Sequence, residues 1–531
     1  MFYDLSFKKI SAMTLLCVAL GGGILGTLSL GRALGPDFIA NRLIDARVAM
    51  SAVAYRAEYE GSANAAMLAR VYSLFRDIGG TEKASAEERA QSIPVLVYHG
   101  IVNDADVENI TLTDFKEQLF ALRRAGWQTV TLADFSRFIK SEIVLPEKSF
   151  LLTFDDGRKD SYYPADPLLK ALGYNAVVFA ISRHITDETH PYYLSQKELL
   201  HMLDSGRWEV GAHTKDGHDM TRIAAGDAGG HFYSDKLWLD GAHRLETTEE
   251  FIARVSEDFA AARRDIESAL GTTILGFAFP FGDFGQDSKN FPEAKAIVPG
   301  IARDSYPLLF YQVRSNTGFS FNYPQNGNAM MKRFEVGPEW TPETLLAALD
   351  AGKEKTLPYA DTFEQGAPGW IRTWGSMHTQ GGVLALGAQT DTTGSTAFLD
   401  GSRSWKEYSF QAVLDWLSGN NVVLMARYHD EANHLACNFT DDTVRIERYT
   451  DGTFALLREA ERPSAVSTHD LPLEIRVEGN TIECVVGGYA VSYTDDESSV
   501  IHRGGIGFKT WDPQAGNSAI AVKEIFVGEI P

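Results

Sequence analysis

Apolar and polar positions alternate in a regular way between residues 93 and 345. Short apolar runs such as Ser149–Phe154 are followed by stretches in which apolar residues recur every three or four positions, as in 247–270. This pattern predicts strands alternating with helices, and the apolar runs are of the kind that forms buried parallel strands. We therefore predict an α/β fold of the (β/α)-barrel type, with functional residues at the carboxyl ends of strands.

The pattern changes on both sides of this region. After Leu357, short segments of alternating apolar and polar residues are separated by Gly, Asn and Asp, which predicts an all-β sandwich. From Asp37 to about Asp77, apolar residues fall at helical spacing without a proline. We expect this helix to form a stalk that leads into a polar linker near residues 81–91.

The N-terminal segment has the features of a membrane anchor. Lys8 and Lys9 precede an uncharged run from Ile10 to Leu30, which is long enough to cross a bilayer. The basic flank predicts a cytoplasmic N-terminus and a remainder outside, in the periplasm or at the cell surface. A cleaved signal peptide is the alternative, but residues 30–35 match a small-residue cleavage site poorly. We expect an uncleaved, single-pass anchor in the cytoplasmic membrane.

These patterns divide the chain into four predicted segments. They are a cytoplasmic tip with the membrane anchor at 1–36, a helical stalk and linker at 37–91, the α/β domain at 92–357, and the β-sandwich at 358–531.

Charge and cysteine content limit the partners and the compartment. The net charge of −22 argues against binding to nucleic acid or to anionic lipid, and it suits a neutral or cationic polymer. An acidic surface that only keeps the protein soluble is the alternative. Of the three cysteines, Cys17 lies in the apolar run, whereas Cys437 and Cys484 can either pair in an oxidising compartment or remain two buried thiols.

Two adjacent carboxylates follow the apolar run that begins at Ser149. They are Asp155 and Asp156 in the segment Thr153-Phe-Asp-Asp-Gly157. Adjacent carboxylates repel each other unless a cation or a proton offsets the repulsion. The alternative is an ordinary Asp-Asp-Gly turn.

A pair of histidines follows the predicted strand 208–212, in His213-Thr-Lys-Asp-Gly-His218. Residues five apart do not share a face of a helix, but on a loop that contains Gly217 both imidazoles can converge on one ion. With one carboxylate they form an Asp-His-His set that leaves positions open for water, as in hydrolytic metal sites. Structural histidines are the alternative.

A third cluster, Phe277-Ala-Phe-Pro-Phe-Gly-Asp283, ends another predicted strand. A strand that runs into Pro and Gly exposes backbone N–H groups, which can stabilise an oxyanion. An ordinary turn would give the same pattern.

Together the three clusters resemble the motifs of the polysaccharide deacetylase family, the NodB-type carbohydrate esterases of family 4. Residues 153–157 match its Thr-Phe-Asp-Asp-Gly motif in full, and 280–281 match its Pro-aromatic motif. The resemblance implies that Asp155 is the general base and that the backbone amide of Phe281 contributes to an oxyanion hole.

The same resemblance implies a metal site. Asp156, His213 and His218 would be the ligands of a divalent metal, with Zn²⁺ expected first and Co²⁺, Ni²⁺ or Fe²⁺ as alternatives. The metal would activate water for attack on an acetamide carbonyl, and Asp155 would take the proton.

Three departures from the usual family pattern resemble the branch that deacetylates poly-β-1,6-N-acetylglucosamine. The histidines are five rather than four apart, Ala278 replaces an arginine that orients the base, and no Leu-x-His motif follows residue 290 in this region. The segments 94–99 and 205–209 are also similar to that branch, in which a histidine on the opening strand is the general acid. His99 is therefore the candidate acid, and a structural histidine that bonds a neighbouring strand end is the alternative.

No residue can be assigned to the role of the missing arginine. Arg303, Arg314 and Arg333 are the candidates in the region of resemblance.

The C-terminal segment resembles laminin-G or concanavalin-like sandwiches found beside carbohydrate enzymes. Five aromatic residues are candidate platforms for stacking sugars, and packing or docking of a partner is the alternative; they are Trp405, Trp416, Tyr428, Tyr449 and Trp511.

The resemblance implies hydrolysis of N-acetyl groups from an extracytoplasmic polysaccharide such as poly-N-acetylglucosamine, with release of acetate. The alternatives are deacetylation of peptidoglycan or of an O-acetylated glycan, and an inactive glycan-binding protein. The expected partners are the polysaccharide, the membrane through the N-terminal helix, and the machinery that synthesises or exports exopolysaccharide.

Overall fold

The computed structural model describes residues 36–74, 89–226, 228–313, 320–324, 330–463, 466–495 and 501–530. These residues form two compact units, each discontinuous in sequence. The first takes the residues before 87 together with 97–134 and 150–309, and the second takes 87–96, 135–149 and 310–531.

The predicted membrane anchor, Cys17 and most of the predicted linker lie outside the described residues. Among the helices that the structure describes, none combines the length and the apolar character needed to cross a bilayer.

Eight α-helices lie in the described residues. Their bounds are Pro36–Leu74 (α1), Leu112–Arg124 (α2), Leu132–Ile139 (α3), Lys159–Leu172 (α4), Gln196–Asp204 (α5), Thr248–Leu270 (α6), Ala294–Ser305 (α7) and Pro342–Ala351 (α8). Short 3₁₀ helices occur at Ser182–His184, Asp240–Ala242 and Pro280–Gly282.

The predicted helix after residue 37 is confirmed as α1, but α1 does not stand apart as a stalk. The Arg56 guanidinium donates a hydrogen bond of 3.2 Å to the carbonyl of Ala171 in α4, and Lys116 of α2 pairs with Glu58 at 2.6 Å. Val48 of α1 is also buried. The helix therefore packs along the first unit, because its apolar face is covered by neighbouring helices.

Fourteen strands precede residue 340 in the described part of the chain. Their bounds are Val95–Tyr98 (β1), Ile101–Val102 (β2), Ile110–Thr111 (β3), Gln128–Thr129 (β4), Ser149–Phe154 (β5), Ala176–Ile181 (β6), Trp208–Thr214 (β7), Thr221–Arg222 (β8), Gly229–Gly230 (β9), Trp238–Leu239 (β10), Arg244–Leu245 (β11), Gly276–Ala278 (β12), Leu308–Val313 (β13) and Met331–Glu335 (β14).

Seven of these strands close into a parallel barrel. The sheet order is β1-β14-β13-β12-β7-β6-β5-β4, and β1 also pairs with β5. Every residue of β1, β5 and β6 is buried, as expected for parallel strands covered on both faces. The predicted (β/α)-barrel fold is confirmed, and its strands bring the segments that follow β5, β7 and β12 to one end.

Fifteen further strands follow residue 357. They are Tyr359–Asp361 (β15), Trp370–Trp374 (β16), Ser376–Thr379 (β17), Leu384–Gly387 (β18), Gly394–Leu399 (β19), Tyr408–Ser418 (β20), Asn421–Asp430 (β21), Asn433–Thr440 (β22), Thr443–Thr450 (β23), Thr453–Glu461 (β24), Leu471–Glu478 (β25), Thr481–Val486 (β26), Tyr489–Thr494 (β27), Gly505–Trp511 (β28) and Ala519–Glu529 (β29).

These strands form two antiparallel sheets. One has the order β17-β18-β29-β20-β25-β26-β27 with β15 added on β29, and the other has the order β16-β19-β28-β21-β22-β23-β24. A single core contains buried side chains of both sheets, such as Leu414 and Ile475 of one and Leu424 and Phe508 of the other. The predicted all-β sandwich is therefore confirmed.

Three of the five aromatic residues predicted as sugar platforms are buried. Trp405, Trp416 and Tyr428 are 5%, 7% and 2% exposed. The platform prediction is wrong for these three, because Trp405 and Trp416 pack in the core between the sheets and Tyr428 stacks on Phe398 in a smaller cluster. Trp511 is 37% exposed.

A disulfide joins the two sheets. Cys437 of β22 and Cys484 of β26 are bonded, and both side chains are fully buried. The structure therefore pairs the two cysteines that the sequence left open.

The disulfide should contribute strongly to stability. Replacing Cys437 and Cys484 together by Ala removes a crosslink between residues 47 apart, which in the chain-entropy model costs about 4 kcal/mol. Denaturant unfolding followed by circular dichroism should show a lower transition midpoint for the sandwich, and dithiothreitol should shift the wild-type protein in the same direction. Equal midpoints with and without the reductant would contradict this expectation.

Candidate metal centre

The two carboxylates lie on a left-handed turn directly after β5. Asp156 has φ 68° and Gly157 has φ 67°, a conformation that Asp tolerates and Gly adopts freely. A Cβ on Gly157 would lie 3.2 Å from the Cα of Ala180. The turn therefore requires glycine at 157. The Asp155 side chain is almost fully buried, at 2% exposure.

The histidine loop is held by a buried carboxylate on α6. Asp258 accepts hydrogen bonds from the Thr214 hydroxyl at 2.8 Å and from the backbone N–H groups of Lys215 and Asp216 at 3.1 and 2.7 Å. Because Asp258 fixes this tight turn, His213 and His218 face the same point although they are five residues apart. The sequence pattern gave no signal for Asp258, which lies more than 40 residues downstream.

Both imidazoles converge on Asp156. Its Oδ1 lies 2.8 Å from His218 Nε2 and 3.3 Å from His213 Nε2. One potential ligand atom from each of the three residues lies within 4.8 Å of the others. The structure therefore brings together the three residues that were predicted as metal ligands.

Hydrogen bonding fixes the tautomer of His213. Its Nδ1 lies 2.8 Å from the carbonyl oxygen of Ala278 at the end of β12. A carbonyl can only accept, so Nδ1 carries a proton and Nε2 is the atom turned toward Asp156. Such a second contact is what orients a metal-ligating histidine. The residue that replaces the family's arginine thus supports the site through its backbone.

The electrostatics of the cluster favour a negatively charged Asp156 beside a positively charged His218. Burial by itself would raise the pKa of Asp156, but the hydrogen bonds from His213 and His218 outweigh it and hold that pKa well below its usual range. Burial opposes charging of His218, yet its hydrogen bond to Asp156 raises the pKa of His218. Asp156 and His218 therefore stabilise each other's charged form.

Phe281 lies next to the three clustered residues. Its backbone adopts φ 60° and ψ 7°, and its ring centroid lies 5.2 Å from that of His218. Among the described residues, no acceptor bonds its amide. Phe281 is 40% exposed, so part of its surface is open to solvent.

His99 enters the same end of the barrel on a neighbouring strand. It directly follows β1, which pairs with β5, and its carbonyl accepts a hydrogen bond of 2.9 Å from the Ser161 hydroxyl. Its side chain is partly exposed. A Cβ on the adjacent Gly100 would lie 2.2 Å from the Arg158 guanidinium, so the backbone beside His99 is packed tightly.

A second histidine lies beside Phe281 and was missed in the sequence. The His231 ring stacks on the Phe281 ring at 4.6 Å and 12°, and its Nδ1 lies 2.6 Å from Asp283 Oδ2. Burial would raise the pKa of Asp283, but hydrogen bonds led by that from His231 lower it. His231 belongs to an irregular segment between β9 and β10 and has no motif around it. Only Asp283, which ends the third cluster, carried a signal.

The three candidates for the missing arginine differ in position. Arg303 is exposed near the end of α7, Arg333 is fully buried on β14, and Arg314 lies outside the described residues. Of the two candidates in the described residues, Arg333 is the one that lies inside the protein.

Comparison with known proteins supports the motif assignment. Residues 143–295 match the family model described as polysaccharide deacetylase. This range includes the turn after β5, the histidine loop and the Phe281 turn, whereas His99 lies outside it.

Two curated relatives match parts of the same region. The putative polysaccharide deacetylase YxkH of Bacillus subtilis is 26% identical over 188 residues, which are 35% of this chain and 66% of that protein. The poly-beta-1,6-N-acetyl-D-glucosamine N-deacetylase of Staphylococcus epidermidis is 31% identical over 121 residues, which are 22% of this chain and 42% of that protein. The chain therefore spans less than two thirds of the length of each relative.

Among solved structures, the de-N-acetylase from Aggregatibacter actinomycetemcomitans aligns with 49% of this chain and 100% of its own, at 20% identity and a TM-score of 0.41. Residues 143–295, which contain the three motifs, are therefore similar to the polysaccharide deacetylase family.

Proposed function

We propose that this chain is a metal-dependent hydrolase that removes N-acetyl groups from an extracytoplasmic polysaccharide of the poly-β-1,6-N-acetylglucosamine type. The observation that carries the proposal is the convergence of Asp156, His213 and His218 at the strand ends of a polysaccharide deacetylase domain. The choice of polymer is supported by the relative from Staphylococcus epidermidis, whose name specifies that substrate.

The residues present fit a divalent metal. One carboxylate and two imidazoles suit Zn²⁺ first, and they also suit Co²⁺, Ni²⁺ and Fe²⁺. His213 has its Nδ1 committed to the Ala278 carbonyl, so its Nε2 can ligate without rotation of the ring. A bound divalent cation would supply Lewis-acid activation of water and of the acyl carbonyl.

The protein's own groups would handle protons and developing charge. Asp155 is buried beside the ligand Asp156, and we assign it the role of general base. The Phe281 amide, which has no acceptor among the described residues, would donate to the oxyanion. His99 follows the strand next to β5, and we assign it protonation of the departing sugar amine. The products are acetate and a free amine on the polymer.

We also propose that the deacetylase domain lies outside the cytoplasmic membrane, held by the N-terminal segment. The basic residues Lys8 and Lys9 followed by the apolar run 10–30 support this orientation. The buried disulfide between Cys437 and Cys484 supports an oxidising compartment. An enzyme at that place would act beside the machinery that synthesises or exports the polysaccharide.

Two other functions remain as alternatives. Deacetylation of peptidoglycan or of an O-acetylated glycan would use the same three ligands and the same base. An inactive, glycan-binding protein is disfavoured, because the Asp155–Asp156 pair is intact and both His213 and His218 converge on Asp156.

Metal binding should depend on the clustered residues. After dialysis against buffered Zn²⁺, the wild-type protein should hold about one ion per chain, whereas Asp156→Ala and His213→Ala should hold almost none and release no acetate. His378→Ala is the matched control, because His378 is exposed on β17 of the sandwich. Elemental analysis of the dialysed proteins gives the stoichiometry. Full zinc occupancy in Asp156→Ala would refute this ligand assignment.

The proton-transfer residues should separate catalysis from metal binding. Asp155→Asn and His99→Ala should retain zinc but lower kcat for acetate release by about 10²-fold or more, because general acid–base catalysis typically contributes that much. Elemental analysis and an enzymatic acetate assay on the same samples measure both properties. If His99→Ala keeps nearly full activity, another group is the acid.

The substrate is tested with a panel of acetylated polymers. Acetate release should be fastest on poly-β-1,6-N-acetylglucosamine and slow on peptidoglycan and on an O-acetylated glycan, with Asp156→Ala as the blank for each polymer. Preference for either of the other polymers would select the first alternative. No release from any polymer by zinc-loaded protein would select the inactive one.

A further inference from the structure

A strongly basic pocket lies in the second unit, within the β-sandwich segment. Its volume is 520 Å³, and five of its lining side chains are cationic or imidazole groups: Lys406, Arg427, His429, His502 and Arg503. Glu407 is the one acidic residue among the lining residues described. The chain as a whole has 71 acidic and 49 basic residues, so this concentration of positive charge opposes the general composition.

Arg427 forms the buried part of the pocket. It is 1% exposed, and its guanidinium donates to the carbonyls of Lys406, Gly479 and Ile501 at 3.1, 2.8 and 2.8 Å. Carbonyl oxygens accept hydrogen bonds but carry no net charge. The hydrogen bonds therefore fix the position of the guanidinium, and Glu407 is the acidic lining residue that acts on its charge.

The backbone around Arg427 is held in an uncommon conformation. Arg427 has φ 45°, a region that non-glycine residues rarely adopt. The Tyr408 hydroxyl accepts from the Arg427 N–H at 2.7 Å and donates to the Gly504 carbonyl at 3.0 Å. A Cβ on Gly504 would lie 2.3 Å from the Arg427 backbone. A strained residue that is supported from several sides is typical of a functional position.

Three of the other basic side chains of the pocket are available to a ligand. Lys406, His502 and Arg503 are exposed. Within the part of the chain that the structure describes, none of the five basic lining residues forms an ion pair with a carboxylate. An anion entering the pocket would therefore meet unpaired positive charge without first breaking a salt bridge.

The pocket continues into a second one. His429 and Arg503 also line an adjoining pocket of 330 Å³, which adds Arg89 and Arg403. Arg403 lies over the ring of Tyr323 at 4.3 Å, so its guanidinium is held in place by a cation–π contact. We call the two pockets together the basic groove. The volumes of 520 and 330 Å³ exceed what one small ion would fill, so the groove has room for a segment of a polymer.

We propose that the basic groove binds an acidic polysaccharide through the carboxylates of its uronic acid units. Guanidinium groups match planar carboxylates with paired hydrogen bonds, and three arginines besides Arg427 line the groove. Nucleic acid has a higher charge density than a polyuronate, so the net charge of −22 repels nucleic acid more strongly. This ligand differs from the substrate of the proposed deacetylase, so the two proposals stand independently.

The proposal is tested by binding of galacturonic acid oligomers to the full-length protein, measured by calorimetry with neutral dextran oligomers and inorganic phosphate as comparison ligands. The double substitution Lys406→Gln with Arg503→Gln should weaken binding of the galacturonate oligomers at least tenfold. Arg458→Gln is the matched control, because Arg458 is exposed on β24 and does not line the groove. Thermal unfolding should give the same midpoint for all three proteins, which excludes misfolding as the cause.

Selective binding of the acidic oligomers that is lost only in the double variant supports the proposal. Equal weakening by Arg458→Gln would mean that the attraction is not confined to the groove, and no binding by the wild-type protein would also overturn the proposal. If the protein bound neutral dextran oligomers as tightly as the galacturonate oligomers, the carboxylates would not be needed for binding and the proposal would be wrong. Phosphate binding as tight as that of the oligomers would show an anion site without specificity for a uronate polymer. Acetate release by the double variant should match that of the wild type whatever the outcome.

Discussion

The site depends on one electrostatic constraint, which is that two imidazoles and a carboxylate meet at the end of the barrel in a largely buried position. Asp156 and His213 are buried, so each would pay a desolvation penalty if it stood alone. The carboxylate offsets this penalty for His218, whose pKa its hydrogen bond to Asp156 raises against the effect of burial. The backbone turn at Asp156 and the Asp258 contacts at the histidine loop then serve one purpose, because both hold the three side chains within reach of one another.

The barrel was largely predictable where apolar runs are continuous, and it was not predictable where polar residues or helix breakers interrupt the pattern. Strand β5 was recognised with the bounds that the structure has, since all its residues are buried. Helix α7 was missed because Pro299 and Gly300 interrupt its helical pattern. Strand β14 was missed because it contains Lys332, Arg333 and Glu335 within five residues, and an arginine that is fully buried on a strand has no signal in a hydrophobic pattern.

The chemistry of the site was predictable only where residues stand close together in sequence. Asp156, His213 and His218 were found from their motifs, and the structure brings them together. Asp258 and His231 reach the site from a helix and an irregular segment, so no local pattern could indicate them. For the aromatic residues of the sandwich the error was of another kind. The sequence suggested a surface role for Trp405 and Trp416, whereas both side chains pack in the core.

An acidic protein can contain a basic groove that attracts anions, because salt screens the charge of distant residues more than that of residues in contact with the ligand. At physiological ionic strength the Debye length is about 8 Å, so the net charge of the whole chain influences an approaching polymer only weakly beyond that distance. Within the basic groove, a carboxylate lies closer than this to several guanidinium groups, and local charge decides. A polymer that gains amines through deacetylation becomes more cationic and is attracted to the acidic surface in general. An acidic polymer is attracted only where Arg427 and its neighbours concentrate positive charge, so the two kinds of polymer need not compete for the same surface.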